Sequence, residues 1–342
     1  MNGEVSAAIP AQTATSSNTI GALPGLAPTR AVPMRERMKS FRMRLPDGRR
    51  PPIGVGCAWV GKLDANGKPL KEHIDLLVKT YERGFRFYDT AREYGESEVV
   101  VGEFLKEIPR SEIFLATKAD FRSGHDDFEQ FKVWFYESFE RLGVDHIDCY
   151  HIHDCRLWEP NVAEVIPFLI EQRDKGLISY IGMGTYPLNT LELAARSGWF
   201  DTILSFANYS LIKRSAEGLM KVANNLGVAF QNASVFHFGL IKHHDPAQLR
   251  QPPPSHLVRY CGRAARMHEL CNEMGIAIAS ASIQYSLLDP GIDMLLNGIK
   301  RPENLESTMR ALEEPIHADQ WARIFALQEE DPYLRVQEGI FA

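Results

Sequence analysis

The stretch GFRFYDTAREYGESEVVVGEFL, residues 84–105, opens with the composition of a buried strand and then sets Asp89, Tyr94 and several charges where that strand should end. An acid and a phenol so close together at a strand mouth raise a chemical question before a structural one. Working outward, FRFYDT (85–90) is followed by a helical pattern from about Ser97, IFLATKA (113–119) by one around DFEQFKVWFYESFERLG, and HIDCYHIHD (146–154) by one around NVAEVIPFLIEQRDKG. Further strands are expected at 178–185, 202–210, 228–234 and 291–299. HLVRYCGRAARMHELCNEMG reads as the helix before the last of them, with its glycine as the C-terminal stop.

Strand–helix units repeated this often imply a parallel sheet covered by helices. An open doubly wound sheet and a closed barrel both satisfy that. No G-x-G-x-x-G follows an early strand, and the units run on without a break in composition, so a (β/α)8 barrel in one domain is expected. FRMRLPDGRRPPIGVG, around a Pro-Asp-Gly turn, predicts a short N-terminal β-hairpin. Residues 1–40, rich in Ala, Pro, Ser, Thr and Gly, predict a disordered tail ahead of a barrel spanning 41–342; an organelle transit peptide is the sharper alternative for it.

Composition narrows the classes of function. The 38 basic and 44 acidic residues are mixed along the chain for a net charge of -6, which leaves no basic surface for nucleic acid or anionic lipid. Five scattered cysteines with no C-x-x-C pair suit a reducing compartment, so a cytoplasmic protein is expected. No apolar run approaches the roughly 20 residues of a membrane helix.

In such a barrel the active site lies at the carboxyl ends of the strands. The polar residues there are Asp89, Tyr94, Lys118, His153, Asp154, Thr185, Asn208 and Ser234. A lysine ending an apolar strand is costly to bury alone, and Asp89 is its natural counterion. An ammonium beside a phenol favours phenolate, so Lys118 is expected to lower the proton affinity of Tyr94 and make it a usable acid and base. His153 can then orient a carbonyl or hydroxyl oxygen toward Tyr94.

The segment 84–105, with its strand ending in Asp-Thr-Ala and its Tyr-Gly-x-Glu, resembles the aldo-keto reductase signature, and FLATK and CYHIHD match the lysine and histidine strand ends of that family in the right order. The similarity runs from about Phe41 to about Pro315. It implies the barrel fold, a catalytic tetrad of Asp89, Tyr94, Lys118 and His153, and a nicotinamide cofactor. The loop and strand texture of EVIPFLIEQRDKGLISYIGMGTYPL, ILSFANYSL and ASIQYSLLDPGIDMLLNGIKRPENLEST resembles the sugar dehydrogenases of the family, which oxidise an aldose at its anomeric carbon to a lactone.

The same resemblance places the cofactor. Gly184-Thr185 stands where many members carry Ser-Asn for the nicotinamide carboxamide, and Ser205 where they carry Gln. NASVFHFG (232–239) matches the pyrophosphate loop, with Ser234, Gly239 and backbone N–H groups as donors. In GIKRPENLEST, Lys300 and Arg301 stand at the adenosine phosphate and Asn304 and Thr308 near adenine. Two cations there favour NADP(H), with NAD(H) as the alternative. Trp59, Trp158 and Phe236 are expected to wall the substrate pocket.

His151 and His153 form an H-x-H pair that could begin a metal site, but the later histidines lie mostly in a polar loop; no metal is expected, and His151 reads as a packing residue. Competing functions are a reductase of aldehydes or ketones in secondary or detoxifying metabolism, and a nucleotide-binding redox-sensing module with slow turnover. The expected partner is a small carbonyl or sugar, with the chain a monomer or weak homo-oligomer.

Overall fold

The computed structural model describes residues 32–120, 128–154, 162–241 and 258–330. Eight parallel strands close into a barrel in sequence order: β1 (Ile53–Gly56), β2 (Phe87–Asp89), β3 (Phe114–Asp120), β4 (Ile147–His153), β5 (Ile178–Thr185), β6 (Thr202–Phe206), β7 (Ala229–Ala233) and β8 (Met294–Gly298), with β1 pairing β8. Helices cover the outside: α2 (Lys71–Glu82), α3 (Ser97–Leu105), α4 (Phe128–Leu142), α5 (Val162–Asp174), α6 (Leu188–Ser197), α7 (Glu217–Asn225), α8 (Val258–Glu273), α9 (Ile278–Leu288), α10 (Pro302–Glu313) and α11 (Ala318–Glu329). The strands are buried on both faces, which is why they read as continuous apolar runs rather than alternating ones.

The N-terminal hairpin does not form as strands. Leu45 N–H does bond Arg49 O at 3.1 Å across the expected turn, and Met43 N–H bonds Pro51 O at 3.2 Å. Pro46, Pro51 and Pro52 remove the donors a longer ladder needs, and the segment from Ile53 joins the barrel as β1 instead. Arg44 N–H turns to Gly84 O at 2.9 Å, and only glycine fits at 84, where φ is +100° and a Cβ would strike the Arg44 carbonyl.

A short helix, α1 (Met34–Ser40), precedes this turn, so the boundary expected at residue 40 falls at the end of a helix. Its buried Met34 and Met38, with Phe41, pack on Phe87, Phe114, Ala229 and Met294, each at the start of a strand. Burying each methionine contributes about 1.5–3 kcal/mol. Helix α1 therefore plugs the amino-terminal mouth of the barrel. Aspartates stitch that same end: Asp148, Asp201 and Asp293 accept backbone N–H bonds from Leu115, Ile181 and Phe230, all at 2.9 Å. The strands end in polar residues at the opposite mouth.

Candidate active site

Every non-glycine residue with positive φ among the described residues lies just past a strand end at the carboxyl mouth: Asp154 after β4, Ala207 after β6, and Ser234, His237 and Phe238 after β7. Such backbone costs about 1–3 kcal/mol per residue and collects where function over-determines the chain.

Register builds the centre of this mouth. Asp89 ends β2 opposite Ala116, so Lys118 lies two residues further along β3 on the same face; Lys118 pairs with His151 and Asp120 with His153 across β3 and β4. The Lys118 ammonium, completely buried, donates to Asp89 Oδ2 at 2.5 Å and to the Thr90 carbonyl at 2.7 Å. It stands 5.0 Å from the centre of the Tyr94 ring, and that ring meets the His153 ring edge-on with centroids 5.7 Å apart. The turn carrying Tyr94 is fastened by Arg141, which donates to the Gly95 carbonyl at 2.6 Å and to the buried Glu98 carboxylate at 3.0 Å. Asp89, Tyr94, Lys118 and His153 are thus brought to one place.

The electrostatics differ in one respect from expectation. Burial alone would push the Lys118 ammonium down, but Asp89, with Tyr94 behind it, raises it above the ordinary lysine value. Tyr94 is raised rather than lowered: burial pushes the phenol up, Lys118 pulls it back, and Asp89 and Glu93 push it up again. Desolvation outweighs the ammonium because the counterion that holds Lys118 also faces the phenol. Tyr94 is therefore a phenol at neutral pH.

His153 Nδ1 lies 3.0 Å from Glu93 Oε2 and 2.9 Å from Asp120 Oδ1. Glu93 Oε1 accepts the Asp120 backbone N–H at 2.7 Å. The ligand atoms of these three residues lie within 4.8 Å of one another; the single hydrogen on Nδ1 serves Glu93 Oε2, and Asp120 Oδ1 stands against the same nitrogen as a nearby charge.

The profile of the aldo/keto reductase family matches residues 52–329. The chain belongs to the aldo/keto reductase family. It is 29% identical over 275 residues to the L-galactose dehydrogenase of Arabidopsis thaliana, covering 77% of this chain and 84% of that one. It is 28% identical over 307 residues to the D-threo-aldose 1-dehydrogenase of a Pseudomonas species, covering 80% and 93%. The fold is shared with a holo aldo-keto reductase from Bacillus halodurans at a TM-score of 0.64 and 22% identity, over 84% of this chain and 95% of that one.

Aldo/keto reductases work with nicotinamide cofactors, and the carboxyl mouth of this family member offers polar groups that fit one. Thr185 and Ser205 are register partners at the ends of β5 and β6, and both hydroxyls are buried without a hydrogen-bond partner among the described residues. Two adjacent orphan hydroxyls suit the carboxamide that the sequence reading assigned there. Ser234, in left-handed backbone, accepts a 3.4 Å bond from Phe238 N–H and starts the tight turn that ends at Gly239, itself at φ +94°. Phe236 sits half-buried in this turn.

At β8, Lys300 Nζ lies 4.9 Å over the Trp59 ring, and Trp59 is 55% exposed beside the mouth. Arg301 is exposed at the start of α10, 4.0 Å from Glu303. Asn304 is one turn further on. Thr308 is buried; its hydroxyl donates to the Asn304 carbonyl at 2.7 Å and accepts from Asn297 at 2.8 Å, so it is spent inside the protein and not presented to a base. Trp158 lies outside the described residues.

Two residues of this aldo/keto reductase site went unread in the sequence. Glu93 sits in the charged run AREYGESE, which reads as a solvated face, and Asp120 follows Lys118 by two positions, the spacing that puts it on the same face. A second lysine–tyrosine contact was also missed: buried Lys213 donates to the Tyr186 hydroxyl at 2.9 Å beyond β5 and β6. Among the described residues, no helix is long and apolar enough to cross a membrane.

Proposed function

We propose that this aldo/keto reductase transfers a hydride between a nicotinamide cofactor and the oxygen-bearing carbon of a sugar, converting an aldose in its lactol form to a lactone. The observation that carries the reading is the convergence of Asp89, Tyr94, Lys118 and His153 on one spot. Likeness to two sugar dehydrogenases supports the choice of substrate.

The cofactor supplies the hydride donor or acceptor at C4 of its ring. Thr185 and Ser205 would hold its carboxamide, Ser234 and the N–H groups leading to Gly239 its pyrophosphate, and Asn304 its adenine edge. Lys300 and Arg301 at the adenosine phosphate favour NADP(H), with NAD(H) as the alternative. Tyr94 exchanges the proton with the substrate oxygen. His153 orients that oxygen, and Asp89 fixes Lys118 so that the ammonium stabilises negative charge on the phenol as the proton leaves. Trp59 and Phe236 would wall the substrate.

One observation favours a second reading, reduction of aldehydes or ketones. Tyr94 is held as a phenol at neutral pH, which equips it to give a proton to a carbonyl oxygen. On this basis reduction dominates near neutrality and sugar oxidation gains as the pH rises.

The test follows reduced-nicotinamide absorbance while aldoses, simple aldehydes and ketones are screened against NAD and NADP. Tyr94→Phe is expected to lower kcat by about 10²–10⁴-fold with little change in dinucleotide affinity. Wild-type turnover in that variant, or no dinucleotide binding by calorimetry, would remove the proposal.

A further inference from the structure

The His153 ring is gripped on one nitrogen by two carboxylates that come from different elements. Glu93, next to Tyr94 in the loop after β2, and Asp120, the last residue of β3, both face Nδ1 at 2.9–3.0 Å, and Glu93 also bonds the Asp120 backbone. We propose that Glu93 and Asp120 are positioning residues that lock the His153 ring with Nδ1 toward the carboxylates and hold it as an imidazolium, so that a charged Nε2–H donor meets the reacting oxygen. The inference rests on the catalytic reading above and deepens it by assigning His153 a charge state.

The chemistry of imidazole carries the argument. A neutral ring has one N–H; if Nδ1 donates to a carboxylate, Nε2 is a bare acceptor, which suits a hydroxyl but repels a carbonyl oxygen. Only the imidazolium donates from both nitrogens at once. The groups facing the ring are Glu93 and Asp120 on Nδ1, with Tyr94, Lys118, Asp89 and His151 around it. Burial and Lys118 act against the charge, and the two carboxylates prevail, leaving His153 raised above the ordinary histidine value. Carbonyl reduction thus requires protonated His153 and protonated Tyr94, and loses its orienting donor as the pH climbs through the His153 midpoint.

The experiment is a pH titration of the histidine Cε1–H resonances in the full-length protein, His153 being assigned by the signal lost in His153→Gln. In the wild type His153 is expected to titrate above the free-histidine value of about 6.5, and Glu93→Gln and Asp120→Asn each to weaken its proton affinity at least about tenfold. Glu93→Gln keeps the acceptor for the Asp120 N–H and lies in a partly exposed loop, so it tests the charge without removing the scaffold. A wild-type midpoint at or below about 6.5, or two variants that titrate like the wild type, overturns the inference. The reading needs neither cofactor nor substrate, so it stands or falls separately from the proposed activity. Where carbonyl reduction is measurable, the alkaline limb of kcat/KM should move to lower pH in Glu93→Gln with dinucleotide affinity unchanged; an unmoved limb would mean that the carboxylates only pack.

Discussion

His151 and His153 sit two residues apart on β4 and face the same side, yet they carry opposite proton affinities. His151 is fully buried between Lys118 and Gly182 of the neighbouring strands and takes a hydrogen bond on Nε2 from Gln231 at 3.2 Å. Burial first, and the Lys118 charge second, push it down to about 3. His153, one pleat nearer the mouth with its side chain 17% exposed, is raised by two carboxylates despite the same lysine. Identical side chains about 7 Å apart are thus assigned different work by what faces them. The inner ring is a neutral spacer and the outer one a charged donor. The H-x-H spacing alone suggested a shared metal; the structure sends one ring to an amide and the other to carboxylates.

The strongest way to break this contrast is to remove the charge common to both rings. In Lys118→Met the cation that pushes down His151 and His153 is gone, so both should titrate at higher pH. Burial pushes the Asp89 carboxyl up and only Lys118 and His153 draw it back, so Asp89 should take a proton. Turnover should fall on the order of a thousandfold with the proton relay dismantled. Histidine resonances and single-turnover rates check this together. A shift in His153 alone would show that Lys118 does not govern the inner ring.

A smaller effect should come from Gly182, and it should touch only His151. A Cβ built on Gly182 would fall within the His151 imidazole, which is fully buried. Gly182→Ala should cost about 3 kcal/mol, from overpacking and from the Gln231 amide losing its acceptor. Urea unfolding at pH 7 gives the loss; the His153 midpoint should not move. If both rings shifted, the two would have to be treated as one coupled unit.

The sequence made some of this legible and hid the rest for physical reasons. The barrel could be read because its strands are buried on both faces and end in polar residues, as FLATK and CYHIHD do. Helix α9 could not: IASASIQYSLL buries Ser280, Ser282 and Ser286 alongside Ile283 and Tyr285, so it lacks the one-sided apolar stripe by which a surface helix is found. The gathering of Asp89, Tyr94, Lys118 and His153 was readable because lysine and aspartate in apolar surroundings announce each other. Its titration was not, since the direction for Tyr94 depends on desolvation, a property of the folded mouth. Glu93 and Asp120 were hidden because a carboxylate in a charged run looks solvated until the register of β3 on β4 is known.

The smallest effect, and the sharpest on the comparison, is on stability against pH. An unfolded histidine binds its proton near 6.5, whereas native His151 refuses it down to about 3. Between those values the unfolded chain holds a proton that the native state lacks, so His151 withdraws up to about 1.4 kcal/mol per pH unit as the pH falls, and contributes no slope above 6.5. His153 has the opposite sign. Its raised folded value adds stability that is fully present below about 6.5 and is lost as the pH rises through the folded midpoint. His151→Gln should therefore flatten the acid slope of the urea midpoint between pH 6.5 and 4.5 by about 1 kcal/mol per unit, while His153→Gln should flatten only the slope above 6.5. Because the two windows do not overlap, each variant is the control for the other. Parallel curves for wild type and His151→Gln would mean that the inner ring is already protonated in the native barrel, and the division of labour along β4 would fail.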